Sequence, residues 1–233
     1  MKLDLTRLLR ILAITGVFIL IFGAIVTSSI KPPNVPEKIW NENMVLGDPA
    51  SATRHFVVYT DLMCPYCNYY AKLVQDNEED AKTFFSEHKI AYEVRVTDML
   101  NEGSGVEESL PAAEGAYCAA REGKFWDYYH HAVETLFSVY YEKGIGNSKT
   151  APKIEDMDRS FWRNVGKDIG LGSSFKSCFD NQESVEEIKA NTLRAARAGA
   201  NGLPTFVFDE FTTGGFDPTW DWSVVKEMYS AGL

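Results

Sequence analysis

The chain opens on an uncharged run, Ile11 to Ile30, read as ILAITGVFILIFGAIVTSSI. Twenty residues rise about 30 Å as a helix, enough to cross the hydrocarbon core of a bilayer. Beyond it the pattern becomes that of a folded domain. Arg54-His-Phe-Val-Val-Tyr-Thr60 is short, β-branched and aromatic, which predicts a buried strand. A polar, periodic segment running to about His88 predicts a helix, and Ile90-Ala-Tyr-Glu-Val-Arg-Val96 alternates as a second strand does. Gly103 to Glu108 reads as a loop, and from Leu110 to about Ala200 the signals are helical. Pro111 suits a first helical turn, and Gly123 separates that helix from one starting near Phe125. After a loop from Gly144 to Pro152, further helices are expected around 156–169, 173–179 and 183–198. Thr205-Phe-Val-Phe208 returns to strand character, with a partner strand at Phe211-Thr-Thr213, a turn at Gly214-Gly215 and a last helix from Thr219 to Tyr229. The order β-α-β, a block of helices, then β-β-α describes an α/β sandwich with a helical insertion.

Charge adds orientation. Lys2, Arg7 and Arg10 precede the apolar run, so the positive-inside rule leaves 1–10 in the cytoplasm, 11–30 as a single-pass membrane anchor and the rest outside. A cleaved signal peptide is the alternative, with Val26-Thr27-Ser28 as a poor cleavage site; both place the domain outside the cytoplasm. Pro32, Pro33 and Pro36 mark 31–49 as an extended linker, leaving 50–233 as the domain. The net charge of −10 offers no basic face for nucleic acid.

Cys64 and Cys67 carry the chemistry. They enclose Pro65 and Tyr66 at a strand–helix junction, where positions i and i+3 face the same way. Unpaired N–H groups and the helix dipole favour thiolate over thiol there, and Pro65 lacks an N–H that would go unpaired. Cys64, the outer residue, should attack or be attacked, and Cys67 should resolve the mixed disulfide. The competing use of such a pair is half of a zinc site, which needs two more ligands. Cys118 and Cys178 stand apart from each other and from clustered histidines, and His130-His131 lies mid-helix, so no metal or other cofactor is expected. Phe125, Trp126, Tyr128 and Tyr129 read as core packing, Asn77-Glu-Glu-Asp80 as a solvated helix face, and Trp220 and Trp222 without an assigned role.

Asp61-x-x-Cys64-Pro-Tyr-Cys67 after a hydrophobic strand resembles the active site of DsbA-like thiol–disulfide oxidoreductases of the thioredoxin superfamily. The resemblance runs from about Leu46 to the C-terminus. It includes Ala112–His131, which looks like the family's helical insertion (here about 106–200), and Gly202-Leu-Pro-Thr-Phe206, which looks like its loop before the third strand. The resemblance implies a thioredoxin fold, a cis bond at Leu203–Pro204 beside the cysteines, and a Leu203 backbone able to pair with a substrate strand. One position departs: many members carry a buried acid six residues before the first cysteine, where this chain has Val58. Proton transfer to the inner cysteine must then use water or another group. Asp61 is nearer, but reads first as a helix N-cap or turn residue. An unpaired exposed cysteine outside the cytoplasm is a liability, so Cys118 and Cys178 are expected to form a structural disulfide. It would close a loop of about 60 residues and contribute about 4 kcal/mol in the chain-entropy model. Two buried free thiols are the alternative.

The expected function is an oxidase that passes the Cys64–Cys67 disulfide to exported, cysteine-containing proteins. Its expected partner is a membrane reoxidase resembling DsbB or vitamin-K-epoxide reductase. A reductase or isomerase uses the same chemistry in another direction, which Pro65-Tyr66 does not fix. A non-catalytic thioredoxin-fold binding module or chaperone is the reading from another class.

Overall fold

The computed structural model describes residues 41–231 other than Lys149, Asp156, Asp209 and Glu210. The expected anchor at 11–30, its flank at 1–10 and most of the expected linker lie outside the described residues. Among the described residues no helix is long and apolar enough to cross a membrane.

Five strands make one mixed sheet: β1 (Val45–Leu46), β2 (Arg54–Thr60), β3 (Ile90–Val96), β4 (Thr205–Phe208) and β5 (Phe211–Gly214), in the order β1-β3-β2-β4-β5. β2 and β3 run parallel, and the other pairs are antiparallel. The strands expected at 54–60, 90–96 and 205–208 form with those bounds. β1 lies inside the segment read as linker, so the chain enters the sheet before Pro49. Two residues are too few for an alternating pattern to register. Nearby side chains hold the segment: the Asn41 N–H donates to Glu93 at 3.0 Å and Asn43 Nδ2 to the Ala120 carbonyl at 2.9 Å.

The helix expected to run to His88 is two helices, α1 (Pro65–Asp76) and α2 (Glu78–Glu87). Asn77 breaks it. Its backbone leaves the helical region at φ −118°, ψ 25°, and its side chain donates to the Leu73 carbonyl at 2.8 Å. Glu78, Glu79 and Asp80 then favour a new helix start, since acids stabilise the positive end of the dipole. The loop expected from Gly103 is also shorter, because α3 (Met99–Ser104) takes its first two residues.

Between β3 and β4 follow α4 (Ser109–Arg121), α5 (Phe125–Val139), α6 (Arg159–Asp168), α7 (Ser173–Asp180) and α8 (Val185–Arg197); α9 (Trp222–Ala231) closes the chain. α4 is the axis of the insertion. Ala112, Ala113, Ala116, Ala119 and Ala120 are fully buried, and their small side chains let several helices approach one backbone.

The sheet is covered on both faces. Phe56, Val58, Phe206 and Phe208 join the larger core with α1, α2 and α9, while Val57, Tyr59 and Val207 pack with Ala195 and Ala198 at the end of α8. All seven β3 residues are buried. Its polar positions pay no penalty of isolation: Arg95 donates to Glu93 at 2.7 Å, and His55 lies 2.8 Å from the same carboxylate.

Candidate redox site

Sheet register assembles the site. Tyr59 pairs with Thr205, so the turn after β2 and the loop before β4 leave the sheet at the same end. The turn is tied by the Asp61 carbonyl accepting from the Cys64 N–H at 2.9 Å and by an Asp61 carboxylate oxygen accepting from the Met63 N–H at 2.9 Å. The loop holds Leu203–Pro204 as a cis peptide. Thus the Leu203 carbonyl comes within 3.7 Å of Cys64 Sγ, across 139 residues of sequence.

Cys64 is the N-cap of α1, and Pro65 is the first helical residue. That replaces the reading of Asp61 as the helix cap; Asp61 is the turn residue instead. Cys64 and Cys67 are both free thiols, 6 % and 1 % exposed. The pair is therefore more closed than the sequence implied, with the half-buried Met63 and Pro65 and the 42 % exposed Tyr66 around Cys64 as its border with solvent.

The two thiols have opposite acidities. Cys64 is lowered from its ordinary value, chiefly because the Cys67 thiol donates to it, with help from the N–H groups of Cys67 and Tyr66, against the cost of burial. A neutral thiol accepts poorly and makes no capping hydrogen bond here; the thiolate would be the better cap. Cys67 is pushed well above the ordinary thiol range by burial and by the neighbouring Cys64.

Asn68, Asp61 and Tyr141 complete the site, and sequence reasoning did not assign them this role. Asn68 Nδ2 lies 2.7 Å from the Leu62 carbonyl, 2.9 Å from that of Cys64 and 3.2 Å from the Tyr141 hydroxyl. An amide at the fourth position after an N-cap cysteine was the available signal. The Asp61 carboxylate also accepts from the Leu100 N–H at 3.0 Å and from the Ser109 hydroxyl, reaching α3 and α4, which no local pattern encodes. Thr60 faces Cys67 and Tyr129 from the end of β2.

Cys118 and Cys178 form a disulfide that joins α4 to α7, with Cα atoms 5.8 Å apart. Among the described residues no group of three His, Cys, Asp or Glu side chains is placed to hold a metal. Phe125, Tyr128 and Tyr129 lie in the core, and Trp126 packs half-buried against it. Trp222 and Asp80 take part in a contact between helices that the sequence does not show. Trp222 is buried, and its Nε1 donates to Asp80 at 2.7 Å; Lys226 donates to the same oxygen at 2.7 Å. Asp80 therefore links α2 to α9 rather than only facing solvent.

A family model described as thioredoxin matches residues 40–217. The chain belongs to the thioredoxin family. No curated protein matches it. Solved structures of other thioredoxin-fold proteins do. A thioredoxin-like oxidoreductase from Silicibacter pomeroyi is 19 % identical at a TM-score of 0.55, over 80 % of this chain and 90 % of its own. The thiol–disulfide exchange protein alpha-DsbA2 of Wolbachia pipientis is 17 % identical at 0.53, over 80 % and 85 %. The disulfide oxidoreductase DsbG of Mycobacterium tuberculosis is 16 % identical at 0.52, over 86 % and 88 %. At these identities the likeness is one of fold.

Proposed function

We propose that this thiol–disulfide oxidoreductase of the thioredoxin superfamily is an oxidase, passing the Cys64–Cys67 disulfide to cysteine-containing proteins outside the cytoplasm. The observation that carries the reading is the contrast between a Cys64 whose thiolate is favoured at a helix start and a Cys67 whose thiol is favoured by burial. In the oxidised protein a substrate thiolate attacks Cys64 Sγ. The Cys64–Cys67 bond breaks, a mixed disulfide forms at Cys64, and Cys67 leaves and takes up a proton. A second substrate thiolate then attacks the substrate sulfur of that mixed disulfide and expels Cys64 as thiolate. Two electrons pass from the substrate thiols to the cysteine pair. A low thiol pKa makes Cys64 a good leaving group and stabilises the reduced protein, and both favour donation of the disulfide.

Leu203 and Pro204 are the proposed place for the substrate backbone, with Pro65 and Tyr66 bordering the attacked sulfur. Residues 11–30 are proposed to tether the domain to the outer face of the cell membrane, beside a quinone-linked reoxidase of the DsbB-like or vitamin-K-epoxide-reductase-like kind, where tethering raises local concentration. Cys118–Cys178 is assigned a structural role.

Oxidation of a reduced, unfolded protein with two cysteines tests the reading. The oxidised protein should form the substrate disulfide with equal loss of its own, and Cys64→Ser should abolish transfer. Reduced Cys67→Ala, given the same substrate in its disulfide form, should hold a mixed disulfide at Cys64, with one substrate thiol released, because no Cys67 is there to resolve it. Full transfer by Cys64→Ser would exclude this use of the pair. Partner binding that survives in Cys64→Ser, without transfer by the native protein, would indicate a binding module.

A further inference from the structure

Asp61 is fully buried at the end of β2, three residues before Cys64. One carboxylate oxygen accepts from the Met63 N–H at 2.9 Å, inside the turn that leads into α1. The other accepts from the Leu100 N–H at 3.0 Å and from the Ser109 hydroxyl. A single side chain thus joins the segment before the outer cysteine to α3 and to α4, the first helix of the insertion. Three donors converge on it, as suits an ionised carboxylate, which only accepts. The titratable groups that bear on this corner are Asp98 after β3, Tyr141 after α5, Cys64, and Cys67, whose sulfur faces the Asp61 backbone N–H. The Asp61 carbonyl accepts from the Cys64 N–H at 2.9 Å, which holds the two residues together. The carboxylate oxygens are taken up by Met63, Leu100 and Ser109, so a charge on them bears on the Cys64 sulfur through space and disfavours a second negative charge there.

We propose that Asp61 is a positioning residue: its buried carboxylate fastens the turn before Cys64 to the insertion, and its negative charge restrains ionisation of Cys64. The proposal rests on the reading of Cys64–Cys67 as a redox pair. It separates two tasks. The helix start and the Cys67 thiol promote the Cys64 thiolate, and Asp61 limits how far they do so, which sets how readily the disulfide is given away. Ser109 is part of the device, since its hydroxyl donates to the carboxylate and favours its charged form.

The test is titration of the Cys64 thiolate by its ultraviolet absorbance in the reduced protein, with the exchange equilibrium against glutathione measured alongside. Asp61→Asn should lower the Cys64 pKa by about half a unit to one unit, and shift the equilibrium about three- to tenfold towards the reduced protein. Asp61→Glu, which keeps the charge, should leave the Cys64 pKa near that of the native protein even where it lowers thermal stability. Ser109→Ala, which weakens the charged form of Asp61, should shift the Cys64 titration in the same direction as Asp61→Asn, by less, and serves as the decisive variant should Asp61→Asn not fold. A folded Asp61→Asn, or Ser109→Ala in its place, with an unmoved Cys64 titration would reduce Asp61 to a turn residue. Failure of the native protein to exchange with glutathione would instead sink the redox reading, and it is read from the native protein alone.

Discussion

Asn68 shows how a residue outside the motif can control it. Its buried side chain lies against the carbonyls of Leu62 and Cys64, on either side of the turn that presents the outer sulfur. Asn68→Ala withdraws the donor from buried acceptors and should cost about 1–3 kcal/mol in denaturant unfolding, with faster alkylation of Cys64 as the turn loosens. The cysteines themselves make a sharper expectation. In the reduced protein Cys64 should react with iodoacetamide at pH values below those at which ordinary thiols do, and Cys67 should stay unreactive until the protein unfolds. Equal rates at both positions would contradict the asymmetry described above. At this scale the sequence was informative where chemistry is local. Cys-Pro-Tyr-Cys at a strand–helix junction announces two sulfurs, a helix start and a missing N–H. It was silent where partners are distant. Nothing in the residues around Asp61 indicates Leu100 or Ser109, and nothing around Asp80 indicates Trp222, because those contacts exist only once separate elements meet.

Elements were legible in proportion to the strength of their periodicity. β2, β3 and β4 carry β-branched and aromatic runs, and those runs mark their bounds. β1 has two residues and no period, and α1 and α2 read as one helix in the sequence because the break at Asn77 rests on one backbone conformation. Helix packing within the insertion has a clear weak point. A Cβ at Gly115 would stand 2.0 Å from the Tyr128 hydroxyl, which donates to the Trp162 carbonyl at 3.0 Å. Gly115→Ala should therefore force α4 from α5 and cost about 2–4 kcal/mol by overpacking and loss of that hydrogen bond, read from the unfolding midpoint. The disulfide between α4 and α7 closes a separation of 60 residues. The double variant Cys118→Ala, Cys178→Ala should lose about 4 kcal/mol in the chain-entropy model. It should still exchange at Cys64–Cys67, which separates the structural bridge from the redox pair.

For the whole molecule, charge burial near the site has a consequence in pH. Burial pushes the Asp61 carboxyl up to about 6, against the hydrogen bond from Ser109 and the N–H groups of Leu100 and Met63. A carboxyl with its folded pKa above its unfolded value contributes stability at low pH, fully present below the unfolded value of 3.8 and lost as pH rises through about 6. The stability of Asp61→Asn relative to the native protein should therefore increase by about 3 kcal/mol between pH 3.5 and 7, measured by denaturant unfolding at each pH. A difference independent of pH would show that the carboxyl is not raised. The fold places the cysteine pair after β2 and the Leu203–Pro204 loop before β4 at one end of the sheet, and α3 and α4 are tied to that end through Asp61. Oxidation of exported proteins depends above all on which way electrons move through the pair. The equilibrium of Cys64–Cys67 with a glutathione buffer, followed by alkylation and mass, reads that direction from the protein alone. An oxidase should give a potential less negative than about −200 mV, whereas a value near −270 mV, that of thioredoxin itself, would contradict the proposed direction.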